Sequence, residues 1–360
     1  FKPTAGKMPP AIIGRDGIVD EFIEGIENGA GAPGRLMRIS GVRGTGKTVL
    51  LGEVAKIADS YGWQVIDEVA SEGLCQRILD RLARNRVRKA SLEPTVLGVS
   101  LGRIEVDLAG PTLREAMEDV IAHNGKGLLI TLDEVQDAAL DELRVLATTI
   151  QQVIGDDLDI AFVFAGLPSM IENVINGKTL AFLRRAVPFE LKSINVPEVA
   201  SSLKETVTES GMLVSSETAR YLAEASCGYP FLIQLVGYYA WQGAKRKGLA
   251  VVDDDVARSG VDIALARFDV TVIEPALQRV SDLGISYLMA MALDDGPVSS
   301  TADICKRLGK SAQQLSSLRA SLIRDSLVEA PSHGKIRFAI PYMANYLNNH
   351  REELQSYLGQ

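Results

Sequence analysis

Apolar positions in the first half of the chain follow two alternating patterns. Short, nearly continuous apolar runs at residues 36–40, 63–69, 127–132, 160–165 and 187–191 predict strands. Between them the spacing turns helical. Val49, Leu50, Leu51, Val54, Ala55 and Ala58 predict one helix, and residues 74–87 and 139–154 predict two more. Thr112 and Glu115 have capping-box spacing, which predicts a helix that runs to about His123. Apolar strands separated by helices are the mark of a parallel sheet covered on both faces, so residues 1–191 are expected to form an α/β domain.

After about Lys192 the strands are expected to stop. Residues 197–210, 216–227 and 229–247 predict three helices punctuated by Gly211 and Gly228, a helical domain placed at 192–260. From Asp253 a further helical stretch leads to residues 286–293, followed by short helices at 300–308 and 311–325. A turn at Pro331-Ser332-His333-Gly334 then separates Leu327-Val328-Glu329 from residues 335–340. Helix, helix, turn, helix and hairpin is the order of a winged helix-turn-helix, placed at 261–360.

Composition narrows the classes. With 46% hydrophobic and 23% charged residues the chain is an ordinary globular one, not disordered or fibrous. No apolar run reaches the roughly 18–20 residues that span a bilayer, so no membrane is expected. The first residues, Phe1-Lys2-Pro3-Thr4, lack the layout of a secretory signal. Cys75, Cys227 and Cys305 form no C-x-x-C pair, and the three histidines have no metal-ligand spacing. A cytoplasmic protein with reduced thiols is the expectation. The formal net charge of −8 argues against a nucleic-acid coat while leaving room for a local basic patch.

Gly41-Val42-Arg43-Gly44-Thr45-Gly46-Lys47-Thr48 fits G-x-x-x-x-G-K-[ST] between a predicted strand and a helix predicted to begin at Gly46, and these residues with Val49 are expected to bind the nucleotide. Glycines permit the tight turn that points successive N–H groups at phosphate oxygens. The following helix N-terminus favours the same anions. In this context Lys47 binds the β- and γ-phosphates, and the Thr48 hydroxyl holds Mg²⁺. Downstream, the apolar run Leu128-Leu129-Ile130-Thr131-Leu132 ends in Asp133-Glu134, at the strand end where open α/β sheets bind ligands. Asp133 is expected beside the metal, and Glu134 is expected to polarise the attacking water. The fold class is thus a P-loop NTPase αβα sandwich followed by an all-α lid and a winged helix-turn-helix, with ATP/ADP and Mg²⁺ as cofactors. No N-K-x-D guanine-reading motif occurs, which disfavours GTP.

With these motifs the chain resembles the AAA+ ATPases of the origin-recognition and initiator type over nearly its whole length. The resemblance implies further roles. Ile13 and Arg15, in Ile12-Ile13-Gly14-Arg15-Asp16, would pack by the adenine ring. Arg184 or Arg185, in Phe182-Leu183-Arg184-Arg185-Ala186-Val187, would be an arginine finger acting in cis or in trans. Pro230, in Gly228-Tyr229-Pro230-Phe231, would contact the nucleotide from the lid. Two departures stand out. The strand at 160–165 runs into Gly166-Leu167 where the family often has a polar sensor, with Ser169 the nearest substitute, and the lid motif offers no arginine. Weak or partner-dependent hydrolysis is the expectation.

Double-stranded DNA is the expected partner, with a protein partner or self-association as the alternative. Residues 300–340 hold seven basic side chains (Lys306, Arg307, Lys310, Arg319, Arg324, Lys335, Arg337) against three acidic ones (Asp303, Asp325, Glu329). In the second short helix Leu315, Leu318, Leu322 and Ile323 face inward. Lys310, Gln313, Gln314 and Ser317 then lie where a recognition helix meets DNA, and Lys335 and Arg337 lie on the wing. A second basic feature is the stripe Arg77, Arg81, Arg84 and Arg88 on one helical face, either a solvated face or a contact surface. The rival readings are a signal-transduction NTPase switch, whose winged helix docks protein or locks nucleotide inside, and a DNA-binding regulator in which ATP is only structural.

Overall fold

The computed structural model describes residues 1–4, 8–9, 12–90, 112–176 and 180–358. Five parallel strands form the central sheet: β1 (Leu36–Ser40), β2 (Gln64–Val69), β3 (Leu128–Asp133), β4 (Ile160–Gly166) and β5 (Val187–Glu190), in the order β2-β3-β4-β1-β5. β3 and β4 are buried along their whole length, as their unbroken apolar runs require. Alternate residues feed two cores. On one face Met37, Ile39, Leu129 and Val163 meet Phe22 of α1 (Asp16–Glu27) and Leu50, Leu51 and Val54 of α2 (Lys47–Ser60). On the other, Ile66, Ile130, Leu132, Phe162 and Phe164 meet α3 (Leu74–Ala90), α4 (Leu113–Asn124), α5 (Leu140–Gly155) and α6 (Pro168–Asn176). Each large side chain buried this way contributes about 1.5–3 kcal/mol, which makes the sheet a stiff frame. Its order sets the end of β4 between the ends of β1 and β3, and Gly41 N–H donates to the Gly166 carbonyl there at 3.3 Å.

The α3 stripe stays partly exposed, but two of its arginines are tied to the neighbouring strand. Arg77 Nε and Arg81 Nε lie 3.0 and 2.6 Å from the carboxylate of Glu68 on edge strand β2, and their Nη atoms donate to the Val69 and Asp67 carbonyls. Arg84 donates to the Asp80 carbonyl, and the Arg88 side chain lies outside the described ones. Glu68 is only 4% exposed, so removing both guanidinium groups leaves a buried carboxylate unpaired. Both arginines are partly solvated, which discounts the effect. Arg77→Ala/Arg81→Ala is expected to lower the unfolding free energy by about 2–3 kcal/mol. Urea denaturation checks this, and an unchanged midpoint would contradict it.

The helical region opens with α7 (Val196–Glu209), α8 (Ser216–Ala225), α9 (Pro230–Arg246) and α10 (Asp254–Phe268). Strands do not stop at Lys192. β6 (Leu213–Val214) pairs in parallel with β7 (Val251–Val252), a two-residue clasp between loops that the local pattern does not announce. A π-helical turn at Asp269–Ile273 then leads through α11 (Glu274–Leu277) to α12 (Asp282–Met291), β8 (Ser299–Ser300), α13 (Thr301–Leu308), α14 (Ala312–Arg324), β9 (Val328–Glu329) and β10 (Lys335–Phe338). The last three strands form an antiparallel sheet, β8-β10-β9, and α15 (Met343–Asn349) and α16 (Arg351–Leu358) follow. The helix–helix–hairpin order expected of this end is present, with β8 added.

A boundary at 260/261 falls inside α10, and close packing explains why that helix does not break there. Gly260 lies against the α9 backbone, where an added Cβ would come within 2.6 Å of Ala240 N. Moreover, one apolar core runs from Ile194 through Leu232, Phe268 and Leu288 to Leu347, so the lid and the terminal module share an interior. Tyr342 Oη adds a hydrogen bond to the Ala225 carbonyl at 2.8 Å.

Candidate active site

β1 delivers the chain to the glycine-rich turn, and α2 starts from it at Lys47. Gly44 and Gly46 have φ of 78° and 92°, a backbone region that side chains disfavour. At Gly44 space is closed as well, because a Cβ would strike the Tyr229 ring and hydroxyl at 2.4–2.7 Å. The Lys47 ammonium, 5% exposed, donates to the Gly41 and Val42 carbonyls at 2.9 and 3.1 Å. Burial pushes it below the ordinary lysine range, while Glu134 and Asp133 pull the other way.

Across the sheet end, Thr48 Oγ1 donates to Asp133 Oδ2 at 2.5 Å, and Asp133 Oδ1 accepts the Glu134 N–H at 2.9 Å. Burial raises the Asp133 carboxyl above the usual range, against those two hydrogen bonds. A hydroxyl and a carboxylate held together are hard oxygen donors, the set that Mg²⁺ takes. Glu134 follows with φ 50° and ψ 46°, left-handed backbone that costs a non-glycine residue about 1–3 kcal/mol. That turn ends the strand abruptly and aims the Glu134 side chain at the cavity.

The cavity, about 1160 Å³, lies between the sheet ends and the helical region. Arg43, Gly44, Thr45, Gly46, Lys47, Thr48, Val49 and Glu134 line one wall, and Ile13, Arg15 and Pro230 line others. Gly41 and Val42 lie beneath, supplying carbonyls to Lys47, and Asp133 stands behind Thr48. Arg15 reaches across to the Lys192 carbonyl at 2.8 Å, which ties the N-terminal motif to the start of the lid.

Other expected residues are elsewhere. Arg184 Nε donates to the Ile175 carbonyl at 2.7 Å, and Arg185 borders a separate groove of about 200 Å³ with Ala147 and Gln151. Neither arginine lines the chain's own cavity, because the short 3-10 turn carrying them packs on α5 and α6. Ser169 is no substitute sensor, since its hydroxyl donates to the Arg324 carbonyl on α14. The polar group that meets Glu134 is Gln136, with Nε2 2.5 Å from Glu134 Oε2.

Two further residues escape sequence reasoning. Tyr229 Oη donates to the Arg43 carbonyl, while its ring meets Phe268 edge-on at 5.4 Å, so the lid core touches the phosphate loop directly. Arg267, from the last turn of α10, lines the cavity as a lid cation that no motif spacing indicates. The only hint for Tyr229 is its place between Gly228 and Pro230.

On the terminal module Lys310, Gln313, Ser317 and Lys335 are exposed. Gln314 is committed instead to a capping box, its Oε1 accepting the Ser311 N–H at 2.8 Å. Arg337 is held by Glu329 at 2.6 and 2.8 Å, and Arg307 by Asp294. Of these two carboxylates only Asp294 lies outside residues 300–340, so it alone lowers the basic excess counted there; Glu329 is already in that count.

Residues 11–158 match a family model described as an AAA ATPase domain, and residues 270–347 match one described as a domain of unknown function. No curated protein matches the chain. Among solved structures, the Aeropyrum pernix ORC2 protein in ADPNP and ADP complexes is similar at 15% identity and a TM-score of 0.67, over 99% of this chain and 98% of that one. A Walker-type ATPase of Pyrococcus abyssi is similar at 16% identity and a TM-score of 0.68, over 96% and 100%. The Thermotoga maritima RuvB Holliday junction branch migration motor aligns at 15% identity and a TM-score of 0.52, over 94% and 97%. Residues 11–158 thus match an AAA ATPase domain, and over nearly its whole length the chain shares the fold of the Aeropyrum pernix ORC2 protein.

Proposed function

We propose that this protein binds ATP in the cavity between sheet and lid, hydrolyses it there, and uses the cycle to move the lid and terminal module together on DNA. One observation carries the reading: Lys47 and Thr48, which follow β1, and Glu134, which follows the non-adjacent β3, line the same cavity, with Asp133 bonded to Thr48 from behind. Nucleotide complexes of the similar ORC2 protein support ATP and ADP as ligands.

The chain's own groups divide the chemistry. Loop N–H groups from Gly44 to Thr48 hold the phosphates, and Lys47 turns its ammonium from the loop carbonyls to the β- and γ-oxygens. Thr48 and Asp133 would hold Mg²⁺, which neutralises charge on those oxygens when bound. Glu134 accepts a proton from water as the water oxygen bonds to the γ-phosphorus and the bond to the bridging oxygen breaks, releasing ADP and phosphate. Pro230, Ile13 and Arg15 border the cavity on the side of the base. Arg184 and Arg185 have no part within one chain; a finger from them would have to come from a second copy.

Coupling follows from packing. The lid and the terminal module share one interior, and Tyr229 links that interior to the phosphate loop. Division of the chain is accordingly proposed near the start of the lid, at about Lys192, rather than at 260. A nucleotide that resets the loop shifts lid and module as one body, and the Ser169–Arg324 contact between α6 and α14 is the seam that would open.

DNA is proposed as the partner because Lys310, Gln313, Ser317 and Lys335 of the terminal module are each exposed, and the RuvB protein with a similar fold is a Holliday junction branch migration motor. Lys310→Ala/Lys335→Ala is expected to weaken binding to duplex DNA and to reduce the slope of log affinity against log salt by about 2. Binding isotherms at several salt concentrations check this. An unchanged slope would remove these lysines from the interface.

A further inference from the structure

The carboxylate assigned to the attacking water is not free to turn. Gln136, in the short turn after β3, sets its Nε2 2.5 Å from Glu134 Oε2. Chemistry fixes which way the amide points, because the reverse would press Gln136 Oε1 against a carboxylate oxygen. In this orientation Oε1 is buried without a hydrogen-bond partner among the described residues. An unpaired buried acceptor is costly, so the orientation is maintained by something stronger, the bond to Glu134.

The neighbouring strand end is shaped around the same amide. A Cβ built on Gly166, the last residue of β4, would lie 2.6 Å from Gln136 Oε1 and 3.0 Å from Val135 Cγ1. Gly166 thus leaves the room in which the amide stands. Glu134 is also held from behind, since its N–H is bound by Asp133 and its backbone is left-handed. The backbone is thus held by Asp133 and one carboxylate oxygen by Gln136, with the other oxygen left for the water.

We infer that Gln136 is a positioning residue for hydrolysis: its amide holds one Glu134 oxygen so that the second meets the water, and Gly166 is a glycine to admit that amide. This rests on the role proposed for Glu134, and the experiment separates the two. Steady-state ATPase rates and ATP affinity would be measured for the parent, Gln136→Leu, Gly166→Ala, Gln136→Leu/Gly166→Ala, Glu134→Gln and Glu134→Gln/Gln136→Leu. Gln136→Leu keeps the bulk and removes the donor. It is expected to lower kcat by about 10–100-fold, the usual loss when the partner orienting a reacting group is removed, with ATP affinity unchanged. Gly166→Ala should lower kcat in the parent but add nothing to Gln136→Leu, because its Cβ acts by displacing the amide. Gln136→Leu should likewise add nothing to Glu134→Gln. Retained ATP affinity shows that each variant is folded. If Glu134→Gln is inactive while Gln136→Leu turns over like the parent, this inference is overturned and the proposed function stands. If Glu134→Gln itself turns over normally, the proposed function fails first. Additive losses in the double variants would show that Gln136 acts through general packing rather than through Glu134.

Discussion

Glu134→Gln is expected to bind ATP with the parent's affinity and to hydrolyse it about 10²–10⁴-fold more slowly, the range for loss of a positioned general base. The substitution is nearly isosteric and leaves the backbone N–H that donates to Asp133 in place. The Thr48–Asp133 pair is a separate contact and should hold any metal as before. What disappears is the carboxylate's capacity to take a proton. The variant should therefore accumulate with ATP bound, and filter-retained nucleotide analysed for its phosphate content would show ATP rather than ADP. Rapid turnover by the variant would mean that the base lies elsewhere.

Lys47→Ala is expected to lose the nucleotide itself, with ATP affinity falling by about 10²-fold or more, since a charged group fully engaged with phosphate contributes several kcal/mol. The reason lies in the unusual position of the cation. Lys47 is a buried ammonium whose burial disfavours its charge, kept in place by two loop carbonyls and two nearby carboxylates. Triphosphate oxygens are a far better counter-charge than carbonyl dipoles, so binding recovers the solvation that burial removes. Taking the lysine away also removes the cation whose charge Glu134 and Asp133 favour, leaving the site less attractive to the anionic ligand. Calorimetric titration of ATP into parent and variant checks this. Equal affinities would place the phosphates outside the loop.

Much of this arrangement is legible from residue order alone, for identifiable reasons. The central strands announce themselves because a strand buried on both faces is almost wholly apolar, as Leu128–Asp133 and Ile160–Gly166 are, while β2 and β5 are only partly buried. The capping box at Thr112 is a local contact, so local spacing finds it. The phosphate loop and Asp133-Glu134 are legible because each is a contiguous motif at a strand end. Illegible features depend on contacts between distant segments. Arg77 and Arg81 look unpaired until β2 brings Glu68 beneath them, and Arg337 looks free until β9 brings Glu329 beside it. Tyr229 and Arg267 reach the cavity only because α9 and α10 pack over it. Gln136 stands within a few residues of Glu134, but its significance appears only when β4 presents Gly166 to it.

The local charge count is altered by one distant partner: Asp294, outside residues 300–340, pairs with Arg307, while Glu329, already counted, pairs with Arg337 and Lys306, Lys310 and Lys335 stay exposed. The shared core from Ile194 to Leu347 is another feature built from distant segments, and α10 runs unbroken through position 260, where the sequence pattern places a boundary.

The central claim is that ATP held between sheet and lid is cleaved by the wall that carries Glu134. A single-turnover experiment tests it most directly, with the protein in excess over labelled ATP, Mg²⁺ present, and the bound nucleotide sampled over time. The account predicts that the parent converts bound ATP to ADP while Glu134→Gln keeps it as ATP at equal occupancy. Conversion at the same rate by both proteins, or no conversion by the parent at full occupancy, would contradict it.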